Sequence, residues 1–185
     1  MLQYVLYVKS VGDGYRDSDE ASINVSFSAG GDNVYTLVTD ASTLAVGDKV
    51  IIVAAGYDVA MSTTQNDNNR GQADIEKKDN TIDITDKDTV QVFTLEKGTK
   101  TGTFAFNTGS GYIYAASSKN NYLRTATTLS DNSSWKITIT SGATTITAQG
   151  TNTRNILRYN DAAANNGKLF SCYNSGQKAV QIYKK

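Results

Sequence analysis

Apolar residues fall in short runs along this chain, many alternating with polar ones, and clusters of Gly, Asn, Ser and Asp separate the runs. QYVLYVK, SINVSFS, KVIIVAA, NTIDIT, VQVFTLE, GTFAFNT, YIYAAS, NYLRT, SWKITIT, TTITAQ, NILRYN, KLFSCY and AVQIYKK each read as a strand. No segment of about 11 residues keeps the i, i+3, i+4, i+7 stripe of an amphipathic helix. Many short strands at close spacing predict an all-β barrel or sandwich.

The runs also repeat. Three segments carry the same order of strands at a period of roughly 40 residues. The first runs VIIVAA, YDVAMS, NTIDIT, VFTLE; the second TFAFNT, YIYAAS, NYLRT, SWKITI; the third TTITAQ, NILRYN, KLFSCY, VQIYKK. In each, the last strand holds a large apolar residue two before a Leu or Ile: Phe93 and Leu95, Trp135 and Ile137, Val180 and Ile182. Three four-stranded units are the plan of a β-trefoil-like barrel, whose closure removes exposed sheet edges; a β-sandwich is the alternative. The repeat occupies residues 34–185. Residues 1–33 lie outside it and read as an N-terminal β-hairpin, or as the tail of a preceding domain, with GGDN as the joint. A lone hairpin is marginal in water and needs a surface to pack on.

Stacking the units assigns faces, because the position that stays apolar in all three is the inward one. Val59, Tyr114 and Leu157 align as core, followed by Met61, Ala116 and Tyr159. In the third strand Ile82, Leu123 and Phe170 align, then Ile84, Thr125 and Cys172. Trp135 aligns with Phe93 and Val180, so it is a barrel residue rather than a sugar platform. The same parity sends Tyr122, Arg124, Arg158, Ser171, Tyr173 and Lys136 outward.

Composition narrows the chemistry. Lys and Arg number 18 against 18 Asp and Glu, so the chain lacks the basic footprint of a nucleic-acid binder. No apolar run approaches the length of a membrane span. The chain has no histidine, which excludes Ser-His-Asp and Cys-His catalysis and His-based zinc sites. It has no proline, so it turns on Gly, Asn, Asp and Ser. Its one cysteine, Cys172, forms no internal disulfide and reads as a small buried hydrophobe. No signal peptide is visible, and opening directly on MLQYVLYVK favours a module taken from a longer parent.

The acidic loop with Asp13, Asp17, Asp19 and Glu20 offers hard oxygen ligands for calcium, but its spacing fits no defined calcium loop. Like Asp83, Asp86 and Asp88, it reads as a solvated turn, and no metal or other cofactor is expected. No carboxylate sits in an apolar run that would raise its pKa, so neither a glycosidase pair nor any other enzyme is expected. What remains is binding. An exposed Tyr beside amides and Arg stacks on the apolar face of a sugar while the amides bond its hydroxyls. The candidate ligand-binding set is Tyr112, Asn120, Asn121, Tyr122, Arg124, Arg158, Tyr173 and Asn174. The same Tyr and Arg residues also suit cross-strand pairs of an ordinary sheet. The amide-rich loop QNDNNR, Gln65 to Arg70, is a second candidate lip.

The run YTLVTDASTLAVGDKVIIVAAGYDVAMS, with GYIYAASSKNNYLRT, NSSWKITI, AQGTNTRNILRYN and LFSCYNSGQKAVQIYKK, resembles a domain near the ends of large secreted proteins of gut and rumen bacteria. There it stands beside catalytic, immunoglobulin-like and surface-anchoring modules. The resemblance covers about residues 34–185. It implies a secreted or cell-surface accessory domain whose linked partners are catalytic or immunoglobulin-like, and it carries no assigned ligand. Trefoils are similar in use, with lectins and carbohydrate-binding modules foremost. The expected function is a non-catalytic carbohydrate-binding module of a polysaccharide-degrading protein. Its partner would be a soluble plant or host polysaccharide or oligosaccharide such as xylan, mixed-linkage glucan or mannan. The alternative is a protein–protein adhesion or spacer module.

Overall fold

The computed structural model describes residues 2–8, 21–27, 31–140, 143–162 and 167–185, the first two segments by backbone alone. The chain divides into two compact units, Met1–Gly31 and Asp32–Lys185. In the first, β1 (Leu2–Val8) and β2 (Ala21–Phe27) pair antiparallel, with Leu2 opposite Phe27 and Val8 opposite Ala21. The loop carrying Asp13, Asp17, Asp19 and Glu20 lies outside the described residues.

The second unit is built from β3 (Val34–Leu37), β4 (Lys49–Ala54), β5 (Val59–Gln65), β6 (Arg70–Asp74), β7 (Lys77–Lys78), β8 (Thr81–Asp83), β9 (Phe93–Lys97) and β10 (Phe104–Asn107). It continues through β11 (Tyr112–Ala115), β12 (Leu123–Ala126), β13 (Trp135–Thr140), β14 (Ala143–Ala148), β15 (Ile156–Asn160), β16 (Leu169–Tyr173) and β17 (Val180–Lys184). Six strands close a ring: β4 pairs with β9, β9 with β10, β10 with β13, β13 with β14, β14 with β17, and β17 with β4. From this ring rise three hairpins, β5–β6, β11–β12 and β15–β16. The fold is a β-trefoil-like barrel of three four-stranded units. Its closed ring leaves no barrel edge to cap, which the alternative of two facing sheets would not provide.

The barrel core follows the fourth-strand pairs read from the sequence. Phe93, Leu95, Trp135, Ile137, Val180 and Ile182 are all buried. Phe106 joins Phe93 and Trp135 edge-on, at centroid distances of 5.5 and 6.3 Å. Such pairs add about 0.5–1.5 kcal/mol each beyond burial. Leu123, Phe170, Cys172, Leu157 and Tyr159 are also buried, as their alignment requires.

Several assignments change. In the second unit Ile113 and Ala115, not Tyr114 and Ala116, enter the core. The register moves by one because Ile113 matches Val59 and Leu157 in both volume and apolarity. Tyr114 pairs with Arg124 across the hairpin, so it takes the outward face. In the first unit the third strand is Arg70–Asp74 rather than NTIDIT. Thr81–Asp83 pairs instead with β3 and β7.

β3, β7 and β8 form a flap over the outside of the first repeat of the barrel. β4 is buried on both faces: Val50, Ile52 and Ala54 belong to the barrel core, while Ile51 and Val53 join Tyr35, Ala60, Ala73, Ile75 and Ile82 in a second cluster. A strand covered on two sides reads as an unbroken apolar run, and KVIIVA is one.

Candidate functional site

The outer face of the β11–β12 hairpin stays partly open. With Ile113, Ala115 and Leu123 turned inward, Tyr112, Tyr114 and Arg124 share the outer face. Tyr122 precedes the strand, and its carbonyl accepts from Ala116 N at 3.1 Å. The guanidinium of Arg124 lies over the Tyr122 ring, 4.8 Å from its centroid, a cation–π contact.

The loop between β5 and β6, in the first repeat of the barrel, reaches over to meet this face. Leu123 N donates to Asn68 O at 2.8 Å, and Gln65 Nε2 donates to Leu123 O at 3.1 Å. Arg124 Nε donates to Asp67 O at 3.1 Å and to Asn68 Oδ1 at 3.0 Å, and Arg124 Nη2 also bonds Asn68 Oδ1. The loop between β5 and β6 lines a cleft of about 320 Å³ with Asn66, Asp67, Asn68 and Asn69. Arg70, next in the chain, is buried with 3% of its surface exposed. Arg70 donates to Gln91 Oε1 at 2.8 Å, Ser62 O at 3.2 Å, Thr125 Oγ1 at 3.2 Å and Gln65 Oε1 at 3.3 Å. Burial among these neutral acceptors lowers its pKa to about 10.

At the other end of the face sits Glu96. Its Oε2 accepts from Tyr112 Oη at 2.7 Å and its Oε1 from Asn107 Nδ2 at 2.5 Å. These bonds, that of Asn107 first, hold the carboxyl below the usual glutamate range. The bond to Glu96 raises the Tyr112 phenol in turn.

The other residues singled out in the sequence divide. Asn120 is exposed, and its N donates to Ser117 Oγ at 3.0 Å, shaping the elbow between β11 and β12. Asn121 Oδ1 accepts from Arg154 Nη1 at 2.6 Å, and its carbonyl accepts from Ser171 Oγ at 2.6 Å. Arg158 stands opposite Ser171 across the β15–β16 hairpin, with its Nε enclosed and without a hydrogen-bond partner. Ser171 and Tyr173, read as outward, are buried; the phenol of Tyr173 is pushed up by burial. In β16 both faces are covered, so parity there separates core from a second buried layer rather than from water. Asn174 is exposed in the turn after β16, and no described contact joins it to Arg124. Lys136 is exposed and Trp135 fully buried.

Sequence reasoning missed Tyr114, Glu96 and Asn107. Tyr114 had a signal: Arg124 read as outward, and its cross-strand partner must share that face. Glu96 and Asn107 meet only through the register of β9 on β10, which no local pattern encodes. Among the described residues no group of three or more His, Cys, Asp or Glu is placed to hold a metal ion, and no helix is long and apolar enough to cross a membrane.

No protein-family model matches the chain, and no curated protein matches its sequence. Solved structures do. A lectin of Polyporus squamosus, bound to the human-type influenza-binding epitope Neu5Aca2-6Galb1-4GlcNAc, superposes with a TM-score of 0.53 at 13% identity over 76% of this chain. The likeness is one of fold. The chain spans about half the length of that lectin, 49% of it. The lysenin pore matches at a TM-score of 0.48 and 13% identity, over 98% of this chain and 62% of that one. The Haemophilus ducreyi cytolethal distending toxin matches at 0.49 and 12%, over 86% of each.

Proposed function

We propose that this chain is a non-catalytic carbohydrate-binding module of a secreted bacterial polysaccharide-degrading protein, binding soluble plant or host glycan. The observation that carries the reading is the outer face of β11–β12. There Tyr114, Tyr122 and Arg124 stand together, met by the amide loop Asn66–Asn69. Aromatic rings flanked by amides suit a sugar, whose apolar ring face stacks while its hydroxyls exchange hydrogen bonds. The lectin fold supports the reading by analogy only. Binding of this kind is weak per site and gains from linkage to a catalytic domain.

Affinity electrophoresis across xylan, mixed-linkage glucan, mannan and host glycans tests it. At least one should retard the chain, and Tyr122→Ala should weaken retardation at least about tenfold. Unchanged retardation in that variant moves the ligand elsewhere on the barrel. Absence of turnover on glycan, ester and peptide substrates is expected; turnover lost on changing a single Asp or Glu would overturn the non-catalytic reading.

One observation favours the rival adhesion or spacer role. β1 and β2 pair along their whole length, from Leu2 opposite Phe27 to Val8 opposite Ala21, and a two-stranded hairpin is marginal without a further surface. Failure of every glycan together with capture of a linked domain would select it.

A further inference from the structure

The tyrosines of the second unit form a row with chemically different ends. Tyr112 and Tyr114 are two residues apart on β11, hence roughly 7 Å apart on one face. Tyr122, beside Ala116, adds another step of the same size, so the row extends roughly 13 Å along the hairpin. One end is Glu96, whose two oxygens each accept one protein hydrogen bond, from Tyr112 and Asn107. A carboxylate offers about four acceptor positions, so half of this one's capacity remains for outside donors. Asn107 is itself held, its Oδ1 accepting from Gly109 N at 2.7 Å. At the other end Arg124 spends Nε and Nη2 on Asp67 O and Asn68 Oδ1. Arg124 thus commits its Nε–Nη2 edge to neutral acceptors of the neighbouring loop, and Glu96 keeps half its acceptor capacity.

Resting on the carbohydrate-binding reading, we infer that this row takes an uncharged polysaccharide chain lengthwise, from Glu96 to the Asn66–Asn69 cleft. Glu96 is its specificity-determining residue: it accepts sugar hydroxyl protons and excludes carboxylated glycans. A free hydroxyl donates to a carboxylate and gains a charge-assisted bond. A sugar carboxylate in the same place offers no donor and meets a like charge. The Nε–Nη2 edge of Arg124 is taken by Asp67 O and Asn68 Oδ1, which closes that edge to an acidic sugar. A glutamate is ionised at neutral pH, and the hydrogen bonds from Asn107 and Tyr112 favour that charged form further.

The test uses the full chain in affinity electrophoresis at fixed ionic strength. Xylan, mixed-linkage glucan and mannan are each run beside their carboxymethylated forms. The parent should be retarded by a neutral polysaccharide and at least about tenfold less by its carboxymethylated form. Glu96→Gln should weaken neutral binding several-fold and bring the two forms close to parity. Tyr114→Ala should weaken binding to both. Stronger retardation by a carboxymethylated form overturns the inference and leaves carbohydrate binding standing. So does an unchanged preference in Glu96→Gln, or unchanged binding in Tyr114→Ala while Tyr122→Ala fails. No retardation by any glycan sinks the underlying reading, and this inference with it.

Discussion

The indole of Trp135 is fully buried, and its Nε1 donates to Ile113 O at 3.1 Å. That bond ties the fourth strand of the second unit to the strand carrying Tyr112 and Tyr114, so the tryptophan supports the tyrosine face from beneath. As the chain's single tryptophan it reports on the barrel interior. Its emission should be blue-shifted in the native protein and unmoved by any glycan that binds; a ligand-induced change would place it in the site. Cys172 behaves likewise. It is fully buried, and burial pushes its thiol well above the ordinary value. The native protein should resist a thiol reagent that labels it at once in denaturant. Cys172→Ser, which places a hydroxyl in an apolar layer, should cost about 1–3 kcal/mol in a denaturant melt.

At the scale of elements, the tyrosine face depends on how tightly β11 enters its hairpin. A Cβ on Gly111 would stand 2.6 Å from Ala126 O and 2.9 Å from its carbonyl carbon, both backbone atoms that cannot turn aside. Gly111→Ala should therefore destabilise by about 1–3 kcal/mol and displace Tyr112 from Glu96, which would show as weakened glycan binding. Legibility at this scale was uneven for a physical reason. Strands with one wet face, such as β13 with Trp135 and Ile137 inward and Lys136 outward, could be read by alternation. Strands covered on both sides could not. RGQAD fails for another reason: it buries the charged Arg70 on four neutral acceptors, and so looks like loop. NTIDIT alternates well and belongs to the covering flap. Of the candidate site, the Tyr122–Arg124 pair and the QNDNNR lip were legible. Their meeting was not, because Leu123 to Asn68 is a contact between two units of the repeat. Arg70→Met should test how that meeting is held: four acceptors lose their donor, the cost should be roughly 2–3 kcal/mol, and the Asn66–Asn69 loop should become more protease-sensitive.

For the whole molecule, a chain without histidine should show a flat-topped pH profile of stability, and the two shoulders have different owners. On the acid side, Asp40, Asp83, Glu96, Asp131 and Asp161 all have pKa values lowered by hydrogen bonds, from Ser42, Thr85, Asn107, Thr99 and Tyr57 foremost. A carboxyl depressed in the folded state binds its proton more readily when unfolded. Its stabilisation is present above the ordinary carboxylate range, about 3.9–4.3, and is lost as pH falls through the folded value. On the alkaline side the sign reverses. Cys172, Tyr35, Tyr159, Tyr173 and Tyr183 are raised, chiefly by burial. Their contribution is complete below the unfolded pKa and falls away above it, first for the cysteine near 8.5 and then for the tyrosines near 10. Thermal midpoints should hold level between about pH 5.5 and 8 and decline on both sides. Cys172→Ala should postpone the alkaline decline toward the tyrosine range, because the cysteine alone accounts for a slope of up to about 1.4 kcal/mol per pH unit there. A decline that begins near pH 8.5 in that variant too would assign the shoulder to some other group.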